Sequence, residues 1–373
     1  MSQTPFSYRT SHRFADVCEA FEQNFDDGLE LGARFVAYQH GEKIIDISGG
    51  WSDRKKENPW SEETLSAIYS TGKSVCTLLI AREVEAGRLD YDRPVSQIWP
   101  EFAAAGKQDI TLAQAMSHQA GLSGFDSEMD PSEWLEWDSI VHRIEQMEPQ
   151  WAPGTASGYS PQVFGFVVGE IIRRATGQSI GAKLRELHSA DGIDIHCGLT
   201  GEDAAKGAHM QKPPKAPDLG DISPIKEAAF LKPWSSPARV SREDWMAAEI
   251  PASNMHATAD GLACLLQSLA SENAPHALSP EVREQVFNVR ISGDDLVLPF
   301  HLTWAAGLMK NTNGHFGPNP DAFGHAGFGG SCVLVDPTLG LTAAYAMNKM
   351  SEHLVGDPRA LRLINAVYGA IGD

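Results

Sequence analysis

Cysteine is scarce and badly placed for any cross-linked or metal-held fold. The five cysteines, Cys18, Cys76, Cys197, Cys264 and Cys332, are odd in number and scattered, and no C-x-x-C pair brings two together, so they read as buried free thiols. His196 beside Cys197 has no second ligand pair at suitable spacing and no H-E-x-x-H occurs, so the sequence predicts no metal and no other cofactor. Positive charge is short as well. Thirty Lys and Arg against 49 Asp and Glu leave a formal net charge of -19, which repels nucleic-acid phosphates and anionic lipid, and no local basic patch overrides that field. Also missing are the roughly 18 apolar residues of a membrane span and, in MSQTPFSYRTSHRF, the apolar run of a signal peptide. The expectation is a cytoplasmic protein with neither nucleic-acid nor membrane partners.

What is present has a clear order along the chain. Apolar residues at helical spacing (Phe14, Val17, Phe21, Phe25, Leu29) predict a helix over 14–31, followed by strands RFVAYQ and KIIDISGGW that turn at HGE. A second helical pattern runs from Ser70 through Val75, Leu78, Leu79 and Val84 to Gly87. From about Asp109 to Ser271 the text is mostly helical, but KPPKAPDLGDISP and KPWSSPARVS are proline-rich and read as long ordered loops or a lid. Strands return in LTWAAGLM and in CVLVDPTLGLTAAYAMN, a hairpin turning at DPTLG, before a helix over 359–371. The pattern predicts an α+β fold: residues 1–108 and 290–373 form a sheet domain, interrupted by a mostly helical insert over 109–289.

The stretch AIYSTGKS, Ala67 to Ser74, admits two chemistries. Its ending resembles a phosphate-binding loop, which needs a buried strand feeding a glycine-rich turn so that N–H groups converge on phosphate. Here Ile68 and Tyr69 occupy the loop and PWSEETLS precedes it, so that context is wrong. Asp336 in CVLVD, the only partner for a nucleotide, is followed by PTLG and reads as a hairpin turn. Taken from Ser70, the same letters are S-x-x-K. Lys73 then lies one helical turn after a serine, on the same face, and a lysine kept neutral by burial can take a serine's proton. The motif alone fits a helix cap and a solvated lysine equally well. Two further places weigh on the choice. Tyr159 precedes Ser160, a natural N-cap, and Pro161, a natural first helical residue, so its phenol is held on a stiff turn where it can shuttle a proton. GHAGFGGS puts His325 and several glycines at the start of a strand, where backbone can approach a ligand and His325 can orient a carbonyl or carboxylate.

Ser-x-x-Lys, then the Tyr turn, then His-x-Gly before a terminal strand, in that order, resembles the serine β-lactamase and penicillin-binding-protein superfamily. GGWSD, SHQAGL, GYSPQVFGFVVGE, the Asn254-Met255-His256 segment and FGHAGFGGS resemble more narrowly the β-lactamase-like esterases, the family VIII carboxylesterases. The resemblance implies an antiparallel sheet packed by helices from both termini, a mostly helical second domain and a site in the cleft between them. It further implies Ser70 as the acylated nucleophile, Lys73 as its base or the base's partner, Tyr159 as proton shuttle, and the N–H groups of Ser70 and Phe328, beside Gly327, as the oxyanion hole. The chain departs from the lactamase pattern at two positions: Pro161 stands where Tyr-x-Asn has its asparagine, and His325 replaces the lysine of the third motif. Proline offers neither side-chain amide nor N–H, which disfavours amide-bearing substrates. The expectation is a cofactor-free hydrolase of small carboxylic esters. A β-lactamase, a D-amino-acid peptidase or an acyltransferase would share every one of these residues, and a catalytically silent ligand-binding protein would share the fold. Phe125, Trp134, Trp234 and Asn254 are candidate walls for the acyl pocket, with core packing as the alternative for each.

Overall fold

A computed structural model describes residues 4–372. Twelve strands occur in chain order: β1 (Phe6–Thr10), β2 (Gly32–Gln39), β3 (Glu42–Gly50), β4 (Ser66–Ala67), β5 (Ile195–His196), β6 (His256–Ala257), β7 (Ile291–Asp294), β8 (His301–Trp304), β9 (Met309–Lys310), β10 (Phe323–Ala326), β11 (Cys332–Asp336) and β12 (Leu341–Met347). Nine of them form one sheet, β1-β3-β2-β12-β11-β10-β9-β8-β7, antiparallel throughout, and β4-β6-β5 form a small second sheet. The two ends of the chain meet where β2 pairs with β12, Ala33 opposite Met347 and Gln39 opposite Leu341.

Period-two alternation gives this sheet two apolar faces. Ala33, Phe35 and Ala37 of β2, with Leu341, Ala343, Tyr345 and Met347 of β12, face one core; Val36, Ala344 and Ala346 face the other. The terminal helices Ala15–Asp26 and Pro358–Gly372 cover the first face through Val17, Phe21, Leu363 and Val367. Helices Gly72–Glu85 and Ala259–Ala270 cover the second through Val75, Leu79, Leu262 and Leu266. Most of the helices in the described residues lie between Leu112 and Phe287.

Local chemistry accounts for most boundaries. His40 and Gly41 both take positive φ, 52° and 89°, which suits the twist of the two-residue β2–β3 hairpin. Asp336 accepts hydrogen bonds from the N–H groups of Thr338 and Leu339 at 2.9 and 3.2 Å and so closes the β11–β12 turn, far from any phosphate role. Three expectations change. The first helix stops at Asp26 rather than Leu31, because Gly28 turns left-handed (φ 68°) and Leu29 emerges into solvent. LTWAAGLM splits into β8 and β9 at Gly307 (φ 88°). FSYRT, not read as a strand, becomes edge strand β1 by pairing with β3.

Candidate active site

Ser70 sits in a tight turn, Tyr69–Thr71, that runs directly into the helix Gly72–Glu85. Tyr69 has φ 46°, an uncommon conformation for a non-glycine residue that costs about 1–3 kcal/mol. The surroundings hold it there: its ring meets Phe328 edge-on at 5.9 Å and tilts against Trp245 at 6.2 Å. Behind the turn, Ser331 Oγ donates to the Ile68 carbonyl at 2.8 Å and lies 3.0 Å from Thr71 Oγ1. A Cβ on Gly327 would come within 2.2 Å of that carbonyl, so glycine lets the end of β10 press against the serine turn. Gly72 plays the same part on the other side, where a Cβ would approach Pro251 O to 2.9 Å.

Lys73 Nζ lies 3.1 Å from Ser70 Oγ, 2.9 Å from Tyr159 Oη, 3.0 Å from the Pro161 carbonyl and 3.4 Å from that of Ala252. Its side chain is wholly buried, and no carboxylate is ion-paired with it among the described residues. Burial therefore pushes the amine down to about 7. The Tyr159 phenol is pushed well above its ordinary value by burial, with the Ser70 hydroxyl pulling slightly the other way, so it stays protonated. Lysine rather than tyrosinate is thus the group able to accept the serine proton at neutral pH.

Tyr159 is fixed by residues that sequence reasoning did not single out. Asp295 accepts from its N–H at 2.9 Å and from Ser157 Oγ at 2.9 Å. Trp304 lies nearly parallel to its ring, 6.1 Å between centroids, and His118 packs at 4.9 Å from Tyr159 and 4.5 Å from Trp304. His118 belongs to SHQAGL, one of the stretches that carry the family resemblance, and its φ of 59° is visible only in the folded chain. The helix after Tyr159 begins at Val163, two residues later than Pro161, because the Pro161 carbonyl is turned to Lys73; Ser160 Oγ still accepts from the Phe164 N–H at 3.0 Å.

A cavity of about 630 Å³ opens over Ser70 and Tyr159. Both proline-rich segments line it, through Lys212, Pro217 and Leu219 and through Ser235 and Pro237, together with Phe230, Trp245, Phe328 and Leu354. Among the described residues, Lys212 is the one charged residue on its wall. The Phe328 N–H makes no hydrogen bond within the protein among the described residues, which leaves it free beside Ser70's turn.

Five sequence candidates lie elsewhere. His325 is fully buried behind Tyr159, 6.2 Å between rings, with Nδ1 2.9 Å from the Ala326 carbonyl; burial, then the Lys73 charge, push it down to about 3, so it is neutral and does not face the cavity. Asn254 is buried because its amide knits one loop, accepting from Ile250 N–H and donating to the Trp245 and Ala248 carbonyls; its neighbour Ser253 reaches the cavity instead. Phe125 and Trp234 clasp each other with Trp134: Trp234 Nε1 donates to Phe125 O at 2.9 Å and Trp134 Nε1 to Trp234 O at 2.8 Å. They anchor the second proline-rich segment from behind, since a buried indole N–H needs an acceptor and finds a carbonyl there.

A serine whose hydroxyl meets a buried, easily deprotonated lysine at the mouth of a cavity, on this sheet, defines a serine hydrolase. The chain belongs to the beta-lactamase family, whose model matches residues 21–366. It is 28% identical over 367 residues to the esterase/beta-lactamase LipL of Mycobacterium tuberculosis, covering 92% of this chain and 83% of that one. Among solved structures it is similar to a penicillin-binding protein homologue from Caulobacter crescentus (46% identity, TM-score 0.95, 98% of this chain and 100% of the other). It is similar also to a family VIII carboxylesterase (33% identity, TM-score 0.90, 98% and 100%).

Proposed function

We propose that this hydrolase cleaves small, uncharged carboxylic esters through an acyl-enzyme on Ser70. The observation that carries the reading is Lys73, 3.1 Å from the serine hydroxyl and pushed down to about 7 by burial. Neutral Lys73 takes the Ser70 proton as Oγ attacks the ester carbonyl, and the oxyanion accepts from the N–H groups of Ser70 and Phe328. Tyr159 passes a proton to the departing alkoxide and regains one from Lys73, 2.9 Å away. Water then attacks the acyl carbonyl and gives its proton to the same pair, which returns it to Ser70 Oγ as the serine leaves and the acid is released.

Ester rather than amide or β-lactam is supported by three features. The cavity wall is largely apolar, Pro161 on it offers no hydrogen-bond donor, and position 325 carries a neutral, buried imidazole where the lactamase pattern has a cation. The likeness to a family VIII carboxylesterase points the same way, while the name esterase/beta-lactamase of the Mycobacterium tuberculosis relative fits either bond. Five free thiols fit a reducing cytoplasm. The test is incubation with a p-nitrophenyl ester of a short acid, followed by intact mass and peptide mapping. An acyl adduct on Ser70 and loss of turnover in Ser70→Ala are expected; a Ser70→Ala variant with full turnover would end the proposal. Faster turnover of a chromogenic cephalosporin than of the ester would reassign the substrate to β-lactams.

A further inference from the structure

Away from the Ser70 cavity, three side chains converge that ester hydrolysis does not use. His188 in the last turn of the helix Ile180–Asp191, Asp194 just before β5, and His196 within β5 offer Nδ1, Oδ1 and Nε2, all within 4.8 Å of one another. Asp194 Oδ1 lies 2.7 Å from His196 Nε2 and 3.7 Å from His188 Nδ1. We propose that His188, Asp194 and His196 bind a divalent transition metal, with zinc as the best-matched ion.

The donor set is right for such an ion: two imidazoles and one carboxylate, the borderline ligands that zinc takes, carrying one negative charge against its two positive ones. The spacing is close to what is needed. Metal–donor distances of about 2.0–2.1 Å in a tetrahedral site place donors about 3.4 Å apart, so a small rotation of His188 and a slight opening of the Asp194–His196 contact complete the geometry. His188 is free to make that rotation, since its side chain is 42% exposed and gives up only a 3.3 Å contact with the Ile193 carbonyl.

The other two ligands are held in place. The Asp194 carbonyl accepts from the Thr258 N–H at 3.0 Å, and Gly261 packs so close that a Cβ would reach the Asp194 backbone at 3.0 Å. His196 is 8% exposed, opposite His256 in the β5–β6 pair. Asp194 turns Oδ1 toward both imidazoles, 2.7 Å from His196 Nε2 and 3.7 Å from His188 Nδ1. Lys206, whose charge Asp194 feels, is ion-paired with Asp203 at 3.1 Å. The exposed side of His188 leaves one coordination position for water.

The effect of the metal falls on stability. β5 pairs with β6 and β6 with β4, the strand that leads into Tyr69 and Ser70. A metal across His188 and His196 therefore fastens the end of the helix Ile180–Asp191 to the small sheet beneath the serine turn, and binding the folded chain alone raises its melting temperature. The proposal is independent of the ester reading.

The experiment is calorimetric titration of the chelator-treated full chain with ZnCl2 near neutral pH, with thermal melts in parallel. One equivalent of zinc and a raised melting temperature are expected. His188→Ala, Asp194→Asn and His196→Ala should each weaken binding by about tenfold or more. His188→Ala is decisive, because a half-exposed side chain can be removed without unfolding. His301→Ala, which breaks a separate His–Asp pair with Asp294, should leave binding unchanged. Absence of saturable binding, or binding that survives all three substitutions, overturns the site.

Discussion

Lys73 and Arg359 are both cationic side chains shut away from water, with relative exposures of 0% and 3%. Their neighbours differ. Lys73 meets a serine, a tyrosine, two carbonyls and the rings of Tyr159 and Phe164, all uncharged. Arg359 meets the Asp357 carboxylate through two bonds of 3.0 and 2.8 Å, Glu30 at 3.3 Å, and the carbonyls of Gly329 and Lys349. Burial works against charge at both places. At Lys73 no carboxylate opposes it, only Cys76 pulls the other way, and the amine falls to about 7; at Arg359 the Asp357 carboxylate, held below its ordinary range by the guanidinium, keeps that charge in place, while burial pushes Glu30 up to about 8. An unpaired buried cation is a base in waiting; a paired one is a brace. The brace also serves the site, since Arg359 bonds the Gly329 carbonyl and would collide with any Cβ on Gly330, holding the turn that follows Phe328.

Breaking each member of this pair should give opposite phenotypes. Lys73→Met should lower ester turnover by about a hundred- to ten-thousand-fold, measured as kcat/KM on a p-nitrophenyl ester, with no loss of thermal stability. Arg359→Met should instead destabilise the fold by about 3–5 kcal/mol in urea unfolding, because the Asp357 carboxylate is left buried without its cation. Equal stability in the two variants would dissolve the contrast.

The pH profile sharpens it. Only the neutral amine accepts a proton, so kcat/KM should rise about tenfold per unit below pH 7 and level off above it. For stability the sign is the same. The folded chain binds fewer protons at Lys73 than the unfolded chain between about 7 and 10.5, so this residue's contribution grows as pH rises through that window and is flat below it. Lys73→Met should remove that slope. A smaller effect is expected from Asn254→Ala, about 1–3 kcal/mol of stability through the lost loop bonds, with acyl preference unchanged. The smallest is Lys212→Ala, which should alter turnover of an uncharged ester by no more than about twofold, since it sits at an exposed rim.

Some of this was readable in the sequence. The i, i+3 spacing of Ser70 and Lys73 places both on one helical face whatever surrounds them, and Tyr159 stood out as a phenol on a proline-stiffened turn. The HGE and DPTLG hairpins follow from residues that tolerate or close tight turns. Both proline-rich segments were read as long ordered loops or a lid with a use, and both wall the cavity. The misplaced candidates share a physical cause. Phe125, Trp134, Trp234 and Asn254 have the composition of a pocket wall, but the polar atoms of Trp134, Trp234 and Asn254 found backbone carbonyls away from the cavity, and the Phe125 ring packs on Trp134. Asp295, His118 and Trp304 were invisible as a cage because they reach Tyr159 from 136, 41 and 145 positions along the chain. His188 and Asp194 stand near His196 in sequence, yet only a helix end turning back on a strand brings their donor atoms together.

Local spacing thus determined the chemistry: a serine with a lysine one turn later, a tyrosine on a stiff turn, glycines where strands must approach. Burial was decided only by the tertiary structure, because solvent access is a property of all the elements packed around a group at once. Lys73 is pushed toward the neutral amine because helices and sheet together exclude water and supply no carboxylate, and Arg359 is a brace because the same packing brought it the Asp357 carboxylate.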